Sequence, residues 1–223
     1  MVFSISNVRL FRSFVAGFLA LAVVLIPKTA STHPHEFVIM RVTANFHIDG
    51  RLSGLTYHWT FDEFFTAYAV EGQDQNKNGK AEPNELQALL VEILGNIREI
   101  DYFTVSDPAA SLPKFATPKP ISAEMVDRKL DLKFNLPFTA PLDMSGKKLR
   151  FAIYDDQFYI AMNLDPDRKA VILPSEVTNC KTDIDLPDPD EDVVAFASSL
   201  GKSESSGGGL GASFAEWITI SCK

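Results

Sequence analysis

Apolar and polar residues alternate over residues 37–61, a pattern that predicts two antiparallel strands joined by a tight turn. Asp49-Gly50 lies between the two alternating runs and is typical of a two-residue type I′ turn. This turn pairs Met40 with Trp59 and brings both apolar sets to one face, whereas a three-residue loop would place them on opposite faces. The apolar positions are Val38, Met40, Val42, Ala44, Phe46 and Ile48, followed by Leu55, Tyr57, Trp59 and Phe61.

Two segments with helical spacing of apolar residues, 61–71 and 85–100, follow the hairpin and flank a polar loop. The loop from Asp74 to Glu85 matches D-x-[DN]-x-[DN]-G-x5-E, the pattern of an EF-hand calcium loop. Side-chain and carbonyl oxygens at this spacing are the ligands that calcium prefers. The predicted ligands are Asp74, Asn76, Asn78, the Lys80 carbonyl, Glu82 and Glu85.

The charge of the predicted loop indicates weak binding. Two of the first three ligands are neutral amides, and Lys77 and Lys80 add positive charge. We therefore expect a dissociation constant of roughly 0.1–1 mM, the range of extracellular calcium modules. The alternative is a polar connection between two helices that binds no ion.

The second half of the chain is rich in short strand-like runs separated by turn residues, at the spacing of a β-sandwich. Segment 154–159, with Asp155-Asp156 near its start, is interpreted as a hairpin turn. We predict an α+β fold, in which a mostly antiparallel β-sandwich-like domain over 32–223 carries an EF-hand-type helix–loop–helix insertion at 61–100. The remaining predicted elements are strands at 103–106, 121–126, 130–136, 149–154, 158–163, 170–173, 177–184 and 214–222, a short helix at 193–200 and a flexible linker at 203–211.

The N-terminus has the features of a secretory signal peptide over residues 1–31. Arg9 and Arg12 precede an apolar run at 13–26, and small residues suited to cleavage follow Pro27. These features predict a periplasmic protein that is not embedded in the membrane after cleavage. The alternative is an uncleaved anchor, for which the apolar run is short.

Composition excludes some classes of function. The 223 residues carry a formal net charge of −8, which argues against nucleic acid as a partner. Export permits disulfide formation, and Cys180 and Cys222 are the only cysteines, so we predict that they are bonded. Two free buried thiols are the alternative.

The four histidines all lie between residues 33 and 58. In the predicted hairpin, His47 and His58 are roughly 20 Å apart, so they cannot share an ion. His33 and His35 are the candidate ligands for zinc, nickel or copper, because the N-terminal amine created by cleavage would add a third nitrogen. The alternative is a solvated start to the chain.

His58, Asp62 and Glu63 suggest acid–base chemistry. The sequence Thr60-Phe61-Asp62-Glu63 also matches a helix capping box with Thr60 as the N-cap residue. We favour the capping interpretation and do not expect an enzyme.

Several of these segments together resemble the DUF1007 family of exported bacterial proteins. The resemblance rests on residues 33–37, the stretch His58-Trp59-Thr60-Phe61-Asp62-Glu63-Phe64-Phe65, the loop 74–85, Tyr154-Asp155 and residues 214–217. Members are often labelled as the periplasmic component of an uncharacterised ABC-type transport system, and some neighbour nickel/cobalt or zinc transport genes. The resemblance therefore implies a membrane transporter component as partner and no established activity.

These observations lead to two functional hypotheses. The first is a non-enzymatic periplasmic protein that binds divalent cations, with calcium in the loop 74–85, and that assists a metal or ABC-type transport system. The second is a calcium-stabilised structural or protein-interaction module of the cell envelope.

Overall fold

A large and a small β-sheet make up most of the structure, a computed structural model that describes residues 33–107, 112–167, 169–201 and 204–223. The predicted signal peptide, 1–31, lies outside these residues. The strands are β1 (Glu36–Phe46), β2 (Leu52–Phe61), β3 (Thr104–Ser106), β4 (Lys119–Val126), β5 (Lys129–Leu142), β6 (Lys148–Ile153), β7 (Ile160–Leu164), β8 (Val171–Ile172), β9 (Cys180–Asp185) and β10 (Trp217–Cys222). The helices are α1 (Glu63–Ala69), α2 (Pro83–Asn96) and α3 (Glu191–Ser199), with short 3₁₀ segments at Arg98–Phe103 and Gly211–Phe214.

The large sheet has the order β4-β5-β2-β1-β7, and β8 also pairs with β1. The small sheet has the order β3-β6-β10-β9. All pairs are antiparallel except those that β1 makes with β7 and β8. The α+β class and the predominance of antiparallel pairing are therefore confirmed.

Both sheets contribute to one hydrophobic core. Trp59 and Phe134 of the large sheet, Phe151 of the small sheet and Leu90 of α2 are all buried in the same cluster. The Tyr57 hydroxyl on β2 is hydrogen-bonded to the Thr104 hydroxyl on β3 at 2.8 Å, which links the two sheets across this core. The apolar alternation of the strands thus packs the two sheets face to face, as in a sandwich.

The β1–β2 hairpin has the predicted register but not the predicted turn. Met40 pairs with Trp59 and Ala44 with Leu55, as expected. The connection is a three-residue loop, because the His47 N–H donates to the Arg51 carbonyl at 2.8 Å. A register shift at Asn45/Phe46 absorbs the extra residue and keeps the other apolar residues of the two strands facing the core. Ile48 does not face the core, which corrects the prediction, because it lies in the loop and is fully exposed.

The predicted helices are present between β2 and β3 with shifted ends. Residue 61 belongs to β2, and Asp62 is the N-cap of α1, accepting from the N–H groups of Phe64 and Phe65. The prediction of Thr60 as the N-cap was therefore wrong, since Thr60 still lies in the strand. α2 begins at Pro83 and buries the leucines of one face, Leu86, Leu89, Leu90 and Leu94.

Segment 154–159 is not a hairpin turn, which corrects the prediction. β6, which precedes it, belongs to the small sheet, and β7, which follows it, belongs to the large sheet. The segment therefore crosses from one sheet to the other, and β7 runs parallel to β1. Local alternation in the sequence does not distinguish a turn within one sheet from a crossing between two sheets.

The C-terminal part of the chain is fastened to this crossing segment. Leu210 is buried against Ala197 and Leu200, and the Gly211 N–H donates to the Asp156 carbonyl at 3.0 Å. The predicted flexible linker 203–211 therefore ends in a packed segment, while Ser203 lies outside the described residues. The predicted disulfide between Cys180 and Cys222 is confirmed, and it joins β9 to β10.

Candidate functional site

The loop between α1 and α2 folds its polar side chains over its own backbone. The two carboxylate oxygens of Asp74 accept from the N–H groups of Asn78 and Gly79, at 3.0 and 2.8 Å. The Asn76 side-chain oxygen accepts from the Asn78 N–H at 3.0 Å, and that of Asn78 accepts from the Lys80 N–H at 2.9 Å. The loop's own amides thus fix the oxygens of the first three predicted ligand positions.

Glu85 closes this loop. Its side chain is only 5% exposed, and one oxygen accepts from the N–H groups of Gln75 and Asn76 at 2.9 and 3.2 Å. The other oxygen accepts from the Glu82 N–H at 3.0 Å, as part of the capping box that begins α2. The carboxylate therefore bridges the start and the end of the loop.

The six predicted calcium ligands all lie within one continuous segment, residues 74–85. The Glu82 carboxylate also accepts from the Asn76 side-chain amide at 2.9 Å. A carboxylate has about four lone-pair positions, so these hydrogen bonds leave acceptor capacity for an ion. Among the residues that the structure describes, no three His, Cys, Asp or Glu side chains are grouped closely enough to hold a metal. Any ion here would depend on the amide and backbone oxygens as well.

His33 and His35 lie side by side at the start of β1. Their ring centroids are 4.7 Å apart, and the Tyr159 ring lies 4.5 Å from His35 and 5.9 Å from His33. His33 is 6% exposed, and its Nδ1 is buried without a hydrogen-bond partner. The alternative of solvated histidines is therefore wrong for His33.

Three carboxylates surround the start of β1. Burial, and then the negative charges of Asp62 and Asp155, raise the pKa of Glu36 to about 7. Asp62 accepts from the Phe37 N–H at 2.8 Å, and Asp155 accepts from the Tyr159 N–H at 2.8 Å. The backbone around the two histidines is thus held by carboxylates, and the local charge is negative.

The sequence model of a family described as "Protein of unknown function (DUF1007)" matches residues 18–222. The chain belongs to the DUF1007 family. A relative from Haemophilus influenzae that carries the name "Uncharacterized protein" is 29% identical to this DUF1007 chain over 194 residues. The match covers 86% of this chain and 91% of the relative.

Segments that are distant in the DUF1007 sequence meet beside His35. The His35 N–H donates to the Tyr159 carbonyl at 2.8 Å, so the start of β1 is fixed to the crossing segment. The Phe158 ring stacks on Phe214 at 4.0 Å, which attaches the crossing segment to the C-terminal part. Residues 33–37, 154–159 and the region of Phe214 thus form one packed unit, which the sequence did not predict.

His58, Asp62 and Glu63 do not form an acid–base group in this DUF1007 protein. The Arg41 guanidinium donates to Nδ1 of His58, so the other ring nitrogen, Nε2, carries the proton that is donated to Asp131 at 2.5 Å. Asp62 caps α1, and Glu63 pairs with Arg128. Each of the three residues therefore has its own structural partner.

His58 belongs to a polar network that lines a groove of about 500 Å³ on the large sheet. The Thr60 hydroxyl donates to Asp131 at 2.9 Å. Burial by itself would raise the pKa of Asp131, but the hydrogen bonds from His58 and Thr60 and the charge of Arg41 lower it. Sequence reasoning missed Asp131, because its strand, β5, is 71 residues from Thr60 in the chain.

We expect Asp131→Asn to lower the free energy of unfolding at pH 7 by about 2 kcal/mol. His58 and Thr60 bond to different oxygens of Asp131, and asparagine replaces one of these acceptors with an NH₂ donor. A carboxylate with a lowered pKa stabilises the fold above its unfolded pKa of about 3.9, and this contribution is lost as the pH falls through the folded value. The difference between variant and wild type should therefore shrink below about pH 4.

Urea unfolding of both proteins from pH 7 to pH 3 measures this. Asp127→Asn is the matched control, since Asp127 is exposed and its left-handed backbone conformation also suits asparagine. A difference that stays constant over the whole pH range would contradict the role given to the Asp131 charge.

In the described parts of the chain, no helix is long and apolar enough to cross a membrane.

Proposed function

We propose that this protein is a non-enzymatic periplasmic protein that binds calcium in the loop 74–85 and assists a metal or ABC-type transport system. The signal-like N-terminus supports the location, and the transport context is what the family resemblance implies. The observation that carries calcium binding is the arrangement of oxygens around Glu85. The separate structural partners of His58, Asp62 and Glu63 favour a role without catalysis.

Burying a carboxylate such as that of Glu85 is costly unless hydrogen bonds or a cation compensate it. One of its oxygens accepts hydrogen bonds from the Gln75 and Asn76 N–H groups at the start of the loop, and the other accepts from the Glu82 N–H. Backbone hydrogen bonds hold those oxygens in the order in which the loop would present them to an ion. Calcium would offset the negative charge of Asp74, Glu82 and Glu85 without a large rearrangement of the backbone.

A calcium ion in this loop would mainly stabilise the connection between α1 and α2. α2 already buries its leucine face in the core, and α1 is attached to the large sheet because the Thr66 hydroxyl accepts from the Leu130 N–H at 2.9 Å. An ion would restrict the loop that joins these two fixed elements.

The second candidate function is a calcium-stabilised interaction module of the cell envelope. One observation favours it: Phe64 and Tyr68, four residues apart on α1, are 77% and 76% exposed. Residues at this spacing lie on the same side of a helix, so α1 presents an aromatic pair beside the loop. A calcium-dependent partner would bind through this pair.

The proposal is tested by calcium titration of the exported protein, expressed from the full chain, with its disulfide intact and divalent ions removed by a chelator. We expect one site with a dissociation constant of roughly 0.1–1 mM in calorimetry. Glu85→Gln should abolish the heat of binding, because the amide loses both the negative charge and one of the two acceptor oxygens.

Glu92→Gln is the matched control, since Glu92 is exposed on α2 and the same charge is removed outside the loop. It should bind calcium like wild type. Equal heats in wild type and Glu85→Gln, or no heat in wild type through the millimolar range, would reduce the loop to a connection between helices.

A further inference from the structure

We propose that His33 and His35 form a second metal site, at the start of β1, that takes a divalent ion of the zinc, nickel or copper class. This site is distinct from the loop 74–85 and does not rest on calcium binding there. Imidazole nitrogens suit these three ions, whereas calcium prefers oxygen.

The first argument is a buried nitrogen. His33 is 6% exposed, and its Nδ1 has no hydrogen-bond partner among the described residues. An unpaired buried polar atom is destabilising, and native proteins rarely contain one without a reason. A metal ion accepts the lone pair of such a nitrogen and removes this cost. Nε2 of His35 is also buried, so each of the two rings has one buried nitrogen.

The second argument is the spacing of the two rings. A metal–nitrogen bond of about 2.1 Å places the ion roughly 3.2 Å from the centre of each ring. Two such rings at a coordination angle of about 90–109° have centres about 4.5–5.2 Å apart. The observed separation of the His33 and His35 centroids is 4.7 Å. This centroid separation fits two rings that share one ion.

The third argument is that distant parts of the fold hold this pair. The His35 N–H is bonded to the Tyr159 carbonyl at 2.8 Å, and Asp155 accepts from the N–H groups of Tyr159 and Ile160. Gly211 packs against this segment so closely that an added Cβ would lie 1.8 Å from the Asp155 carbonyl oxygen. A site that is rigid before the ligand arrives binds more tightly, because less conformational freedom is lost.

The surrounding charge favours a cation. Asp62 and Asp155 are engaged with backbone N–H groups, and they contribute negative potential rather than ligands.

The test is a titration of the exported protein, expressed from the full chain without a polyhistidine tag, with Zn²⁺, Ni²⁺ and Cu²⁺ in a non-coordinating buffer. We expect one equivalent to bind, with nitrogen hyperfine structure in the electron paramagnetic resonance spectrum of the copper form. His33→Ala and His35→Ala should each weaken binding at least tenfold. His47→Ala is the matched control, because His47 is an exposed histidine of the hairpin turn beside Asp49.

Two further variants distinguish loss of the site from misfolding and from loss of the loop 74–85. His33→Gln retains a polar side chain if His33→Ala does not fold, and it should also lose binding. Glu85→Gln should retain transition-metal binding, which separates this site from the loop. Undiminished binding in the His33 or His35 variants, or an equal loss in His47→Ala or Glu85→Gln, would overturn the proposal.

Discussion

Removal of the Cys180–Cys222 disulfide is expected to lower the free energy of unfolding by about 4 kcal/mol. The bond closes a segment with a sequence separation of 42 residues, and closing a loop of that size restricts the unfolded chain by about this amount on the chain-entropy model. In the folded protein the two cysteines are direct partners in the β9–β10 ladder. For a domain of this size, the loss corresponds to a fall of about 8–16 °C in Tm.

The measurement is urea unfolding of wild type and of the double variant Cys180→Ala/Cys222→Ala, each with and without reductant. Reductant should destabilise the wild type to the level of the double variant and leave the double variant unchanged. A loss smaller than about 1 kcal/mol would mean that the unfolded chain keeps the two segments together without the bond.

Gly54→Ala is expected to lower the free energy of unfolding by about 3 kcal/mol, because the new methyl group would meet backbone atoms that cannot move aside. A Cβ at Gly54 would lie 2.5 Å from the Leu136 carbonyl oxygen and 2.8 Å from Cα of Pro137. These atoms belong to β5, and β2 is held between β1 and β5 in the large sheet. The pairing is also irregular next to Gly54, so the strands approach closely there.

Gly95→Ala is the matched control with the opposite sign. Gly95 is exposed near the end of α2, and an added Cβ would meet no atom within 4 Å. Alanine is favoured over glycine in a helix by about 0.5–1 kcal/mol, so this variant should be more stable than wild type. Thermal and urea unfolding of the two variants compare the same chemical change at a crowded and at an open site. Similar effects of both substitutions would show that β2 and β5 can separate at Gly54.

Much of the large sheet could be predicted from local sequence alone. Alternation along β1 and β2 is sufficient to pair Met40 with Trp59, because a slip of one residue would expose every apolar side chain of one strand. The prediction of the turn from local sequence was wrong. Asp49-Gly50 fits a two-residue loop, but a register shift at Asn45/Phe46 makes a three-residue loop equally compatible with the buried faces.

Some features of the candidate sites could likewise be predicted from local sequence, and others could not. The loop 74–85 is continuous in sequence, so its ligand spacing and the closing role of Glu85 could be recognised from the sequence alone. The pair of His33 and His35 was also visible. The burial of His33 was not visible, because the Tyr159 ring that packs against it is more than a hundred residues away in the chain. The contact of His58 with Asp131 has the same origin.

Residue types and their local spacing therefore define the apolar faces of the hairpin and of α2 and the oxygen-rich loop between the helices. They also define the pairing of the two cysteines of the chain. Each of these depends on residue type and on spacing over a few turns of the chain, or on there being only one possible partner. Three features could be seen only in the folded protein: segment 154–159 crosses between the sheets, Asp131 contacts His58, and His33 is buried. Those features arise from strand order, and strand order is set by the packing of the whole core rather than by any local pattern.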